Sequence, residues 1–600
     1  MKRIHYYIVC AICAICGLSS CSDFLEIEPQ NEIILEKFWN EKADVDAIVA
    51  GCYSGLQSEA VIKRMMVWGE FRSDNIGPGN NVTSDGSLEK ILKENIDAKN
   101  TYTDWSGFYQ VINRCNTVIK YAPGVAAEDP AYTESELQAN IAEMVGLRSL
   151  CYFYLIRAFR DVPYSTMAFT DDDQTMDLPA TKFDAVLDSL INDLESVKGF
   201  AVKRYPVTKP LYQTGRVTQD FIHALLCELY LWKKDYQNCI RYADLVIDSK
   251  KLIAEENRKQ QKSSTIIQNN DIVEKFNGFP LVSNSTSSGY YGDAYEILFG
   301  RDRTNQDEVN QEIIFQLIFD DNTGDPGSGI ANGAVNSFYG NSTASVGLVA
   351  PSDYIYSQIE STGQDRKVYA YRNKMLDSRI YTNCVYNGSS TSSSNNAIHK
   401  FTTSSINIEA AAGATPAATY SSRYTQNRNG SNWIIYRLTD IMLLKAEALT
   451  QLISDGANDA EPSENTKAIL DRAFTLVNAI NKRALCQSQL ADTLRRSDYS
   501  NKGDMEALVL QERQRELMFE GKRWFDLVRL SQRNGNTQTL VAAALQKATT
   551  GAGLISNHLA KMDAIYWPYN LDEMKVNLNL VQNPAFGSGE DESYQKTTKK

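Results

Sequence analysis

Long helical periodicity, broken at intervals by stretches with no periodicity, constrains this 600-residue chain more than any other feature. From Thr133 it reads TESELQANIAEMVGLRSLCYFYLIRAFRDVP. Thr133 and Glu136 stand at capping-box spacing, where each side chain satisfies a free backbone N–H of the first turn. Leu137, Ile141, Met144, Val145, Cys151, Leu155 and Phe159 then recur at helical intervals, and Pro163 closes the run. A second stretch, GRVTQDFIHALLCELYLWKKDYQNCIRYADLVIDSK from Gly215, holds two amphipathic runs. One is capped by Thr218 and ends near Lys233 and Lys234, and the other starts at about Tyr236. So short a connection forces an antiparallel hairpin. Cys227, Cys239 and Ala243 are small where the pair must approach closely.

This unit resembles the tetratricopeptide repeat, and similar pieces recur at 103–121, 181–198, 436–453 and 464–485. Their spacing is too irregular for a regular array. The predicted fold is mainly α: a scaffold of tetratricopeptide-like hairpins with long loop-rich insertions and a few short β-hairpins. Residues 321–347 are rich in Gly, Asn and Ser, and 387–422 are close to low complexity. Such composition buries too little apolar surface for a core of its own, so both read as surface loops. EIIFQLIF (312–319) reads as a strand of a small hairpin.

At the N-terminus, Lys2 and Arg3 precede an apolar run, 6–17, and then Leu18-Ser19-Ser20-Cys21. The run is well short of the roughly 20 residues that cross a bilayer and has the layout of a secretory signal. Its end resembles the lipobox of bacterial lipoproteins, which implies a lipid on Cys21. The acidic residues that follow, in SDFLEIEPQ, resemble the surface-export signal of Bacteroidetes lipoproteins. The expected organisation is a signal peptide at 1–20, a lipidated tether at 21–40, one domain at 41–586 and a disordered tail at 587–600.

With the signal removed, 59 Lys and Arg face 74 Asp and Glu, a net charge of −15. That balance argues against nucleic acid and against charge-driven docking on anionic lipid. Beyond the signal and Cys21, seven cysteines remain, none at C-x-x-C spacing. An odd, scattered set is neither a disulfide framework nor a metal site, and reads as packing residues.

Several stretches together resemble the SusD/RagB family of Bacteroidetes nutrient-uptake lipoproteins. WGEFRSDN from Trp68, DWSGFYQVINRCNTVI from Asp104 and LRSLCYFYLIRAFRDVP from Leu147 come first. GRVTQDFIHALL, YRLTDIMLLKAEAL, ERQRELMFEGKRWFDLVR and VNLNLVQNPAF follow in the family's order. Arg160 stands where the family usually has glycine. The resemblance covers nearly all of 21–586 and implies a single, mostly helical domain. It also implies a non-enzymatic outer-membrane lipoprotein that binds an oligosaccharide or polysaccharide and hands it to a SusC-like TonB-dependent transporter. No cofactor or metal is expected.

ERQRELMFEGKRWFDLVR crowds acids and bases at three- and four-residue spacing, a pattern of intrahelical and inter-element ion pairs. Gly521 marks a break or close packing between two helical pieces. No H-E-x-x-H, G-x-S-x-G or P-loop occurs. A sugar offers C–H faces to aromatic rings and hydroxyls to amide, carboxylate or guanidinium groups. The glycine-flanked Tyr290, Tyr291 and Tyr295, and Phe338 and Tyr339, are the candidate platforms, with Trp68 and its neighbours Arg72 and Asp74. Oligopeptide cargo, a surface glycan hydrolase and a purely structural scaffold are the rival readings.

Overall fold

The computed structural model describes residues 38–587 except 172, 262–275, 284–289, 292, 300–309, 320–329, 341–345, 356–376, 385–396, 410–416, 423–428, 455, 457–460, 486–493 and 548–550. The signal, Cys21, most of the tether, Cys486 and nearly all of the tail lie outside the described residues.

The fold is mainly helical, as the periodicity predicts. Helices α1 (Lys42–Leu56), α2 (Glu59–Met66), α3 (Ser106–Glu128), α4 (Glu134–Phe159), α5 (Phe183–Val197), α6 (Gln219–Trp232) and α7 (Tyr236–Gln261) form the N-terminal half. The C-terminal half carries α8 (Leu438–Gln451), α9 (Glu464–Ala484), α10 (Lys502–Leu517) and α11 (Arg523–Asn534). Neighbours in sequence pack in pairs, α3 on α4 and α6 on α7. Local signals act where expected. Thr133 accepts from the Glu136 amide while Glu136 accepts from the Thr133 amide, and Thr218 accepts from the Phe221 amide. Cys227 and Cys239 bring their sulfurs to 3.7 Å, so the α6–α7 hairpin is tight where small residues permit it. α7 continues past Lys250 because LIAEENRKQQ is built largely of strong helix formers.

Among the described residues, four small antiparallel sheets join the helices. Their strands are β1 (Ile76–Pro78), β2 (Val162–Pro163), β3 (Ala180–Thr181), β4 (Tyr290–Tyr291), β5 (Ile313–Leu317), β6 (Val349–Pro351), β7 (Thr403–Glu409), β8 (Ala417–Ser422) and β9 (Trp433–Arg437). The orders are β1-β6, β2-β3, β4-β7-β8 and β5-β9. β5 is therefore a strand, but not of a local hairpin. It pairs across the chain with β9, and every residue of both strands is buried. The expected loop at 387–422 contains the β7–β8 hairpin, because its Ile, Thr and Tyr residues suit a pleated strand. The expected loop at 321–347 contains a helix, Gly333–Tyr339, capped by Asn332, which accepts from the Val335 amide at 3.1 Å.

The charged motif forms α10, the break at Gly521 and α11. Glu512, Glu516 and Glu520 are buried, where each accepts from cations on other elements. Arg437 reaches Glu516 at 2.6 Å and Glu520 at 2.7 Å, Arg379 reaches Glu512 at 2.8 Å, and Lys400 reaches Glu520 at 2.5 Å. Arg483 also pairs with Glu516 and with Glu312. Gly521 has φ +73°, and a Cβ on Gly69 would stand 1.9 Å from the Gly521 carbonyl oxygen. Both glycines are fixed by backbone approach. Glu70 completes the joint by accepting from the amides of Phe519, Lys522 and Arg523.

Candidate functional site

Six of the eight residues proposed as ligand contacts lie in the interior. Trp68 is fully buried, stacks on Phe108 at 5.0 Å and donates its indole N–H to the Tyr102 carbonyl at 2.8 Å. Arg72 pairs with Glu94, donates to the carbonyls of Ala564 and Ile565, and lies over Trp524. Asp74 accepts from Arg523 and Gln514. Tyr295 donates to Glu516 at 2.8 Å beneath the Arg483 guanidinium. Phe338 meets the edge of Phe71, and Tyr339 donates to the Phe519 carbonyl. Desolvated and already paired, these groups hold the fold together rather than face a ligand. The glycines beside them serve backbone geometry: Gly340, at φ +92°, ends the helix that carries Phe338 and Tyr339. Tyr290 and Tyr291 form β4 on β7, and their side chains lie outside the described residues.

One concavity among the described residues is an open groove of about 670 Å³. One wall is the face of α3 bearing Tyr109, Gln110, Asn113 and Asn116. The second is the segment from Pro163 to Leu178, and the third is the turn from Glu573 to Leu580. Amides staple these walls together. Asn113 donates to the Phe169 carbonyl and accepts from the Phe169 amide, both at 2.8 Å. Asn116 donates to the Met167 carbonyl at 2.9 Å and accepts from Arg148. Tyr109 and Tyr152 donate to the carbonyls of Pro163 and Ser165. Gln174 folds the same segment back on itself by accepting from the amides of Thr170 and Asp171. Asn577 and Asn579 tie the third wall to the carbonyls of Leu178 and Asp177. With its backbone hydrogen-bonded in this way, the groove is formed in advance of any ligand.

The lining combines apolar area with a few polar groups. Met176 and Val576 are exposed, Phe169 is half-buried, and Gln110 and Asp177 stand in water at the rim. Glu573 is the groove's perturbed acid. Burial raises its carboxyl above the ordinary range, against the indole N–H of Trp105, while Asp104 and Asp572 add to the rise. Such a concave, largely apolar surface with sparse polar groups and one shifted acid is the usual form of a small-ligand site. Sequence reasoning treated this part of α3 as scaffold. The missed signal was the amide-rich face of Gln110, Asn113 and Asn116 at intervals of three along α3.

Among the described residues, no group of three or more His, Cys, Asp or Glu side chains is arranged to hold a metal ion. No described helix is long and apolar enough to cross a membrane.

A family model described as the SusD family matches residues 232–586, and one described as "Starch-binding associating with outer membrane" matches 23–231. A SusD-like protein of Formosa agariphila is 26% identical over 583 residues, covering 95% of this chain and 96% of that one. A second from the same organism is 23% identical, covering 87% and 90%. Among solved structures, a SusD-like protein from Bacteroides fragilis superposes with a TM-score of 0.59 at 16% identity, covering 93% and 99%. A laminarin-binding SusD-like protein gives 0.54 at 19% identity, covering 91% and 100%. Surface glycan-binding protein A of Bacteroides uniformis gives 0.56 at 18% identity, with the same coverage. With the family model spanning more than half its length and the helical fold shared along nine-tenths of it, the chain belongs to the SusD family.

Proposed function

We propose that this protein captures an oligosaccharide or polysaccharide at the cell surface and delivers it to a SusC-like TonB-dependent transporter, without cleaving it. The observation that carries the reading is the preformed groove, where apolar area at Met176, Phe169 and Val576 adjoins the exposed polar groups of Gln110 and Asp177. Sugar C–H faces pack on the first and hydroxyls bond to the second. The laminarin-binding and glycan-binding structural neighbours and the family's starch-binding description support the same class of cargo. Handing cargo on requires modest affinity, which suits an open, wet groove. Cys21 is the proposed lipid anchor, holding a chain at the outer membrane with its body outside.

Affinity electrophoresis and calorimetry against a polysaccharide panel including laminarin and starch test the cargo. At least one glycan is expected to bind, and Gln110→Ala with Asp177→Ala is expected to weaken it roughly tenfold through lost hydrogen bonds. Absence of binding to every glycan, with peptides recovered from the native complex, would replace the sugar by a peptide. Mass spectrometry of the N-terminal peptide tests acylation of Cys21, and isolation of the native complex tests the transporter.

A further inference from the structure

A second concavity, about 570 Å³, lies away from the groove, where the C-terminal ends of α4, α6 and α11 meet the start of α5. Its volume falls within the ~300–1,000 Å³ range of small-ligand clefts. Phe183 and Trp232 supply an apolar floor, and Arg160, Lys233, Lys234 and Asp188 supply a charged rim.

Two rim cations sit on unfavourable backbone. Arg160 has φ +70° and ψ −76°, and Lys234 has φ +65°, a region in which glycine costs far less than a residue with a Cβ. A cation at the end of a helix complements the helix dipole, but glycine there would relieve the strain and leave the helix ended. Strain of this kind persists only where the surrounding structure over-determines it, and it clusters at ligand clamps and active sites. The side chains are held ready for use. Arg160 bonds Asp563 at 2.6 Å, Lys233 bonds Asp188 at 2.5 Å, and Lys234 donates to the Gln532 carbonyl at 3.3 Å. Gln532 in turn donates to the Tyr566 hydroxyl. Trp232, only 3% exposed, carries an indole N–H that finds no acceptor among the described residues, a donor that a ligand oxygen would satisfy.

Carboxylates pair with two of the three rim cations, Asp563 with Arg160 and Asp188 with Lys233, so the cleft carries no strong field of one sign. It favours a neutral molecule rich in hydroxyls, each of which can donate to a carboxylate and accept from a cation. The geometry points to a second saccharide-binding site, independent of the groove, that lets one molecule grip a polysaccharide at two places. This rests on the reading of the cargo as a saccharide. Two linked contacts raise the avidity for a long chain without raising the affinity of either.

Calorimetry on the mature chain with laminarihexaose and with maltohexaose tests the inference. At least one hexaose is expected to occupy two sites. The Arg160→Gly/Lys234→Gly variant is expected to keep one, with the other weakened at least tenfold. Its thermal midpoint should stay level or rise, since glycine adopts both conformations freely. Gln110→Ala/Asp177→Ala should instead weaken the complementary site, roughly tenfold. A single site in the unaltered protein, or two surviving in the double glycine variant, would overturn the second site and leave the groove standing. No heat with either hexaose would remove both.

Discussion

The joint between α10 and α11 and the wall of the groove are both polar, yet they use polarity in opposite ways. At the joint, full charges are buried: Glu516 is surrounded by Arg379, Arg437 and Arg483, and Asp440 by Arg513 and Lys522. At the groove, neutral amides do the joining: Asn113, Asn116, Gln174 and Asn577 bond backbone carbonyls and amides of loops. Charges removed from water hold only while every partner is present, whereas an amide contact can be lost singly at the modest cost of one hydrogen bond. The joint should fail as a unit and the groove piecemeal.

The largest effect should come from removing the centre of the joint. Glu516→Ala leaves three buried guanidinium groups short of a counter-charge and the Tyr295 hydroxyl without its acceptor. Breaking a buried ion pair in this way costs about 3–5 kcal/mol. Denaturant unfolding should show the loss as a lower midpoint, while removal of the half-exposed pair Lys63–Glu59 should cost under about 1 kcal/mol. Equal losses in the two variants would end the distinction between buried and exposed charge.

Gly69→Ala tests the same joint through sterics. The new methyl would meet a backbone oxygen at 1.9 Å, so the helical turn Val67–Phe71 that follows α2 and the α10–α11 break must separate. Overpacking of a filled interior costs about 1–3 kcal/mol. Gly535→Ala lies at φ +65° with open space around it, and so isolates the backbone component. If Gly535→Ala is the more damaging of the two in thermal melts, close packing at Gly69 is not what holds the joint.

How much of this was legible in the chain follows from the range of each interaction. Thr133 with Glu136, and Thr218, act within one turn, and their roles could be read directly. Alternating signs in ERQRELMFEGKRWFDLVR announced ion pairs, but the partners Arg379, Arg437 and Arg483 come from segments far away in sequence, so their burial could not be foreseen. The β5–β9 pairing was hidden for the same reason: 312–319 reads as a strand, but its partner Trp433–Arg437 lies far along the chain and overlaps the start of the piece at 436–453 that reads as helical. The aromatic candidates failed differently. A glycine beside Phe338 and Tyr339 suggests exposed rings in the sequence, whereas Gly340 answers to the positive φ that ends their helix. The groove needs three segments to meet, and only the amide face of α3 was written in one of them.

Acid should separate the regions by a smaller, graded effect. Glu447 is buried, which alone would raise its carboxyl, but Arg529 and Arg533 hold it at about 2, below the ordinary 4.5. Glu516 is held well below as well, by Arg483, Arg437 and Arg379 acting against burial. A depressed acid contributes stability that is present above pH 4.5 and is lost as pH falls toward the folded value. Hydrogen exchange at pH 3 should therefore show α8, α10 and α11 losing protection before α1 and α3. Uniform loss along the chain would mean that the joint is not the acid-labile part.

The smallest expected effect belongs to Glu573, where the sign reverses. Burial raises this carboxyl above 4.5, with the Trp105 indole N–H as the main opposing influence and Asp104 and Asp572 as further causes of the rise. For an acid raised by folding, the stability contribution is complete at low pH and is lost as pH climbs through the folded value. At neutral pH the ionised carboxylate therefore opposes folding slightly. Glu573→Gln keeps an oxygen for Trp105 and removes the charge, so its melting point should exceed the parent's at pH 7 and match it at pH 4. With about half of the group in water, the gain is screened to about 0.5 kcal/mol or less. A variant less stable than the parent by the same margin at both pH values would show that Glu573 acts through its hydrogen bonds alone. The groove would then hold no acid out of balance, and its contrast with the joint would reduce to the presence or absence of buried ion pairs.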